Sequence, residues 1–351
     1  MVVSVKELTY SQAEHRSRLK DLFTGVFIVT ILVRVLRFLF LWLAGLASGR
    51  LSYYGSTALG VLAECLAVIL PFLLMQRYRR EKSLPLFREK ARSRRPVLRT
   101  LLGCLAAAGL TLGLTGFTKN VLRLLESAGL HSKVALPDMG VTTPQTVFFL
   151  CLSVLLPAVC YEFAFRGVTV SALREENRLC AVLASALAFA FSDFDLYHIL
   201  PRLAVGALLA AFYLRVHSLW ACICVQAAAL SGGYVWFLLR GDGPSRLFVM
   251  ICALIAGIAA TVFLFLPREE KEASLTPNRT ALKYFFTSFG VYLLILLTAF
   301  QLLVSVFSTD ADPDDPLLQP TPEQGAHPDF GKQEPLTFDR DRELGQDSNG
   351  E

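Results

Sequence analysis

Residues Pro157 to Gly167 read Pro-Ala-Val-Cys-Tyr-Glu-Phe-Ala-Phe-Arg-Gly, a stretch that places two charges inside a long apolar run. Glu162 and Arg166 are four residues apart, so on a helix they lie on one face and can form an ion pair. Charged side chains are costly at bilayer depth, and by default they indicate a function there. The stretch therefore predicts a membrane helix with a buried charge pair.

The composition of the whole chain is that of a membrane protein. Of its 351 residues, 54% are hydrophobic and 26 are Phe, which is too apolar for a soluble protein of this length. Apolar runs that can cross a bilayer occur about nine times, which predicts an all-α, polytopic transmembrane bundle. The runs are 22–47, 56–75, 97–118, 144–172, 179–194, 199–214, 219–239, 247–266 and 284–307.

The distribution of Lys and Arg predicts the orientation of this bundle in the cell membrane. Ten Lys and Arg residues lie in the segment 77–99, which is typical of a cytoplasmic loop and does not require a nucleic acid partner. The amino-terminal segment 1–21 is then also cytoplasmic, and nine spans would put the carboxyl tail outside. The tail, 308–351, is acidic and rich in proline, so we expect it to be disordered.

Between these ends we expect three parts. They are three supporting helices in 22–143, a core in 144–240, and two further helices in 244–307. The eight cysteines fall within or beside apolar runs, so they are interpreted as small hydrophobic residues rather than a disulfide framework. No cofactor and no metal site is predicted, because no Cys/His cluster has ligand spacing.

Other polar side chains accompany the pair in the apolar runs. With a rise of 1.5 Å per residue, Glu162, Asp193 and Gln226 lie roughly 18, 22 and 12 Å from the cytoplasmic ends of their helices. Three helices thus carry polar groups at similar depth. In the first span, Arg34 and Arg37 share a face, and we expect them to pair with Glu64 of the second span or to reach an interface.

Taken in order, these motifs resemble the CAAX prenyl protease and bacteriocin-processing (CPBP) family of intramembrane glutamic peptidases. The resemblance covers about 146–233 and implies a four-helix core with the fold of that family. The matching residues are Tyr161 to Gly167, Ser185 to Asp193, the frame Gly206 to Trp220 that includes Tyr-Leu-Arg-Val-His-Ser-Leu-Trp, and Gln226 with Ala227.

The resemblance also implies that the positions used for chemistry have changed. The family's first motif is Glu-Glu-x-x-x-Arg, whose first Glu activates water; here that position is Tyr161, and Glu162 and Arg166 remain. Asp193 stands four residues after Phe189, where the family has a histidine, and the pair His-x-x-x-Asn or His-x-x-x-Asp is replaced by Gln226 and Leu230. A tyrosine is a poor base at neutral pH, a glutamine cannot shuttle a proton, and a leucine cannot donate a hydrogen bond to an oxyanion.

Three functions are compatible with this pattern. In the favoured one, an inactive or impaired family member keeps its bundle to bind a peptide or a membrane partner. In the second, an active peptidase uses rewired groups, with Glu162, Asp193 and His198 as acid and base. In the third, a transporter or channel component uses Arg34, Glu162 and Asp193 as pathway charges.

Overall fold

The computed structural model describes residues 5–49, 51–78, 96–127, 142–192, 198–238, 244–266 and 276–307. This described part of the chain is all-helical, as predicted. The predicted tail at 308–351 and most of the predicted basic loop at 77–99 lie outside the described residues. The predicted domain boundaries therefore stay predictions.

The chain forms ten helices in the described ranges, and the fourth continues into a wider π-helical segment. Their bounds are α1 Val5–Ser48, α2 Tyr53–Tyr78, α3 Pro96–Ser127, α4 Thr143–Tyr161 followed by the π-helix Glu162–Val170 and a last turn Ser171–Leu173, α5 Arg178–Ala190, α6 Ile199–Val216, α7 Leu219–Leu238, α8 Pro244–Phe265, α9 Asn278–Phe286 and α10 Phe289–Phe307.

Seven of the nine predicted runs fall on helices of spanning length. Six helices of the described part are long and apolar enough to cross a membrane, and α9 and α10, bent by 51°, make a seventh if they are one span. The other two runs, 179–194 and 219–239, fall on the apolar helices α5, which has 13 residues, and α7, which has 20. The prediction of a polytopic bundle is confirmed, with α5 shorter than a full crossing.

Helix α3 packs along both α7 and α8. A Cβ atom added at Gly109 of α3 would lie 2.6 Å from the Ala253 carbonyl oxygen and 2.9 Å from the Gly257 Cα of α8. Only glycine fits in such a contact, and small residues are what allow membrane helices to approach this closely. On α7, a Cβ atom added at Gly232 would lie 2.8 Å from the Ala108 carbonyl oxygen, so α3 also holds in place the helix that carries Gln226 and Leu230.

A buried asparagine joins the last helices to the predicted core. The Asn177 side chain accepts a hydrogen bond from the Cys180 backbone N–H at 2.9 Å and so caps the start of α5. Its amide nitrogen donates to the Thr276 carbonyl at 2.9 Å and to the Asn278 side chain at 2.8 Å. The turn after the π-helix and the start of α9 therefore lie at the same end of the bundle.

Candidate functional site

The predicted charge pair is present and fully buried. Arg166 Nη1 lies 2.9 Å from Glu162 Oε1, and neither side chain is exposed to solvent. Arg166 Nη2 also donates to the Gly206 carbonyl of α6 at 3.1 Å, and its guanidinium stands 5.2 Å from the centre of the Phe189 ring of α5. The pair thus holds three helical segments together, which is a structural role.

The pair lies in the π-helix that follows Pro157. A proline inside a helix removes a backbone donor, and Pro157 lies inside α4, five residues before Glu162. The wider turns begin at Glu162. The Thr169 hydroxyl donates to the Ala164 carbonyl and the Ser171 hydroxyl donates to the Arg166 carbonyl, both at 3.3 Å. Each acceptor lies five residues before its donor. Segments of this kind are frequent at functional sites.

Tyr161 stands at the position where the family has its water-activating glutamate. Its side chain makes a polar contact that does not involve the Glu162–Arg166 pair. Its hydroxyl donates a hydrogen bond to Oε1 of Glu64 in α2, and only 2% of Tyr161 is exposed. Its ring packs edge-on against Phe189 at 5.5 Å. Sequence analysis missed this contact, although an isolated Glu in an apolar span was a signal that it needs a partner.

The same Glu64 carboxylate also binds Arg37 of α1, with Nη2 and Oε1 3.1 Å apart. The predicted pairing of the first two spans is therefore confirmed for Arg37. Arg34, which is 2% exposed, donates instead to the Thr298 hydroxyl of α10 at 3.4 Å. Arg37, Glu64 and Tyr161 form a continuous series of polar contacts across α1, α2 and α4, which we call the Arg37–Glu64–Tyr161 network.

The third motif lies on α7, which packs against the π-helix that carries the charge pair. Gln226 lies four residues after the buried Cys222, on the same face of α7. Gln226 is 1% exposed, and its side-chain oxygen has no hydrogen-bond partner in the described part of the chain. Leu230, one turn later, is partly buried against the hydrophobic core.

The remaining predicted site residues follow α5. Asp193 lies outside the described residues, so its role stays a prediction. His198 is half-buried and directly precedes the first residue of α6. In the described ranges we find no group of three or more His, Cys, Asp and Glu side chains that would hold a metal ion.

These positions were compared with known proteins. Residues 143–231 match the family model described as Type II CAAX prenyl endopeptidase Rce1-like. The match supports the resemblance to the CPBP family, and we call residues 143–231 the CPBP segment. The CPBP segment begins at α4, ends within α7 and includes every motif position. No curated protein and no solved structure matches the chain. Arg37 and Glu64 lie outside the CPBP segment and nevertheless contact its first motif.

Proposed function

We propose that this CPBP-type membrane protein has no peptidase activity and uses its helical bundle to bind a peptide or a membrane protein partner. The hydrogen bond from Tyr161 to Glu64 carries the proposal. A hydroxyl that donates to a carboxylate keeps its proton, so it cannot remove a proton from water. The group at the water-activating position therefore acts as a structural donor.

The burial of Glu162 supports the same conclusion. A carboxylate that serves as a base must reach water and substrate, but Glu162 is 0% exposed and its Oε1 faces Arg166. Truncating either partner would leave a charge buried and unpaired. Gln226 cannot act as a base, and Leu230 cannot donate a hydrogen bond to an oxyanion at the second position of the family's third motif.

Two apolar grooves on α4 support the binding part of the proposal. One, of about 300 Å³, lies between α4 and α7 and is lined by Leu150, Val154 and the hydroxyl-bearing Ser231 and Tyr234 among others. The other, of about 390 Å³, follows α4 from Phe148 to Val159. Together they give α4 an indented apolar surface against which a membrane-embedded peptide can pack.

A cleavage assay tests the proposal. The purified full-length protein in liposomes would be incubated with a prenylated peptide and, separately, with a leader peptide, and products would be followed by mass spectrometry. We expect no turnover. Hydrolysis that is abolished by Glu162→Gln and retained by Asn177→Ala, a control for general destabilisation, would show that the rewired peptidase is the correct interpretation.

We also propose a cell-membrane orientation with the amino terminus in the cytoplasm and the tail outside. Two contacts at the start of the first apolar run support it: Phe23 packs on Phe285 at 5.2 Å, and the Lys20 ammonium lies 5.6 Å from the Tyr284 ring centre. Asn278, at the start of α9, contacts Asn177, and α10 leads from α9 to the tail. Arg215, at the end of α6, adds positive charge near the chain turn at His217.

Protease treatment of sealed vesicles tests this orientation. In right-side-out vesicles we expect the tail to be removed and an amino-terminal epitope to survive, and inverted vesicles should give the opposite result. Survival of both ends in right-side-out vesicles, with loss of both in inverted ones, would mean that the number of crossings is even.

A further inference from the structure

Two thiols meet at the interface of α2 and α4. Cys65 of α2 and Cys160 of α4 belong to one small buried cluster with Val61, separate from the main core, and they are 5% and 3% exposed. Neither cysteine is in a disulfide. Since the two side chains lie in one cluster across a helix pair, a disulfide between them requires little movement of the helices.

This dithiol lies beside the Arg37–Glu64–Tyr161 network. Cys65 follows Glu64 in the sequence and Cys160 precedes Tyr161, so the thiol cluster and the Tyr161–Glu64 hydrogen bond are neighbours on the same two helices. A bond between the sulfur atoms would therefore fix α2 against α4 next to the first motif of the CPBP segment. The contact joins the segment to a helix outside it.

We propose that Cys65 and Cys160 are an oxidisable dithiol, a modification site at which a hydroperoxide dissolved in the bilayer links α2 to α4 by a disulfide. One sulfur attacks the terminal oxygen of the hydroperoxide, the O–O bond breaks, and the thiol proton passes to the departing alkoxide, which leaves as an alcohol. The second sulfur then displaces the hydroxyl of the sulfenic acid, which leaves with the second proton as water. The dithiol loses two electrons, and the hydroperoxide gains them.

The surroundings of the thiols favour an oxidant from the lipid phase. Leu152 and Leu156 pack against the thiol cluster and also line the apolar groove of about 390 Å³ on α4. An apolar hydroperoxide can enter that groove, whereas a charged disulfide from the aqueous phase cannot cross the bilayer core. Burial disfavours the reactive thiolate, so we expect the reaction to be slow.

The groove also contains an internal control. Cys151 lines it and is exposed, so its oxidation reports that the oxidant has reached this part of the bilayer. Full-length protein in phosphatidylcholine liposomes would be treated with tert-butyl hydroperoxide at increasing concentration, remaining thiols would be alkylated, and peptides would be analysed by mass spectrometry. The peptides are compared at the hydroperoxide concentration that oxidises half of the Cys151 thiol.

At that point we expect a peptide that links Cys65 to Cys160 and disappears after reduction with dithiothreitol. The Cys180→Ser variant, which removes a buried thiol of α5, should give the same link. In Cys65→Ser, Cys160 should be trapped as a sulfenic acid by dimedone. If the Cys65→Ser variant does not fold, the wild-type result alone decides the test. Recovery of Cys65 and Cys160 as alkylated thiols, or as singly oxidised residues without the link, would overturn the proposal.

Discussion

Two charge contacts among the described residues differ in how they are built. Glu162 and Arg166 belong to one helical segment, lie inside the CPBP segment and have no exposed surface. Arg37 and Glu64 come from two helices outside the segment, and their side chains are 12% and 22% exposed. The first contact is an internal support of the CPBP core, and the second attaches the supporting helices to that core through Tyr161.

The difference between the two contacts bears on position 161 of the first motif, where the family has a carboxylate. In the family, the position of Tyr161 is a glutamate, and a second carboxylate there would lie next to Glu162. Here the neighbouring carboxylate is Glu64, which comes from α2 and is already neutralised by Arg37. Position 161 thus contributes a hydrogen-bond donor where the family has a carboxylate, and this donor links α4 to α2.

The largest effect is expected from Arg166→Leu, which leaves Glu162 buried without its cation. Removing one partner of a buried pair typically costs about 3–5 kcal/mol. The carbonyl of Gly206 loses a donor as well. Thermal unfolding of the purified protein in detergent would measure the loss of stability.

The matched control for this experiment is the double variant Glu162→Leu with Arg166→Leu. Replacing both charges by apolar groups removes the buried charge together with its partner, and such replacements are often close to neutral. We therefore expect the double variant to be more stable than Arg166→Leu alone. A double variant that is less stable than the single one would show that Glu162 stabilises the fold without Arg166.

A smaller effect is expected from Glu64→Leu. It leaves Arg37 and the Tyr161 hydroxyl without the carboxylate, but Arg37 is 12% exposed and can be solvated in part. We expect a loss of about 1–3 kcal/mol in the same unfolding measurement, as for a hydrogen bond to a charged group. Glu64→Gln keeps an acceptor for Tyr161 and should lose less. Equal losses in the two variants would mean that the carboxylate charge, and not its hydrogen bond, stabilises the contact.

The same comparison shows how far the sequence can be used. The Glu162–Arg166 pair follows from a spacing of four residues, and seven spanning helices follow from runs of apolar residues, because both are local properties. The contact of Tyr161 with Glu64 joins residues 97 positions apart, and that of Asn177 with Asn278 joins residues 101 positions apart. Such contacts depend on how helices pack, which periodicity does not specify. The run 179–194 is one of the two shortest of the nine, so a short helix is expected there; its end at Ala190 is not indicated, since an apolar run does not show where its helix ends.

The smallest effect is expected from Tyr161→Phe, which removes one hydroxyl and keeps the ring against Phe189. Interhelical hydrogen bonds in membranes are modest, so the stability should fall by about 0.5–1.5 kcal/mol. Because the hydroxyl acts through Glu64, its loss should matter much less in the background of Glu64→Leu. The double-mutant cycle of these two changes should therefore give a coupling energy of about 0.5 kcal/mol or more.

The cycle also decides between two roles for the tyrosine. If the ring alone mattered, through its packing with Phe165 and Phe189, Tyr161→Phe would be neutral in both backgrounds and the coupling would be zero. If the hydroxyl joins the CPBP segment to α2, the two substitutions cannot be additive, since each breaks the same contact. Strict additivity would thus separate the Arg37–Glu64 pair from the first motif and leave Glu162 with Arg166 as the motif's single polar support.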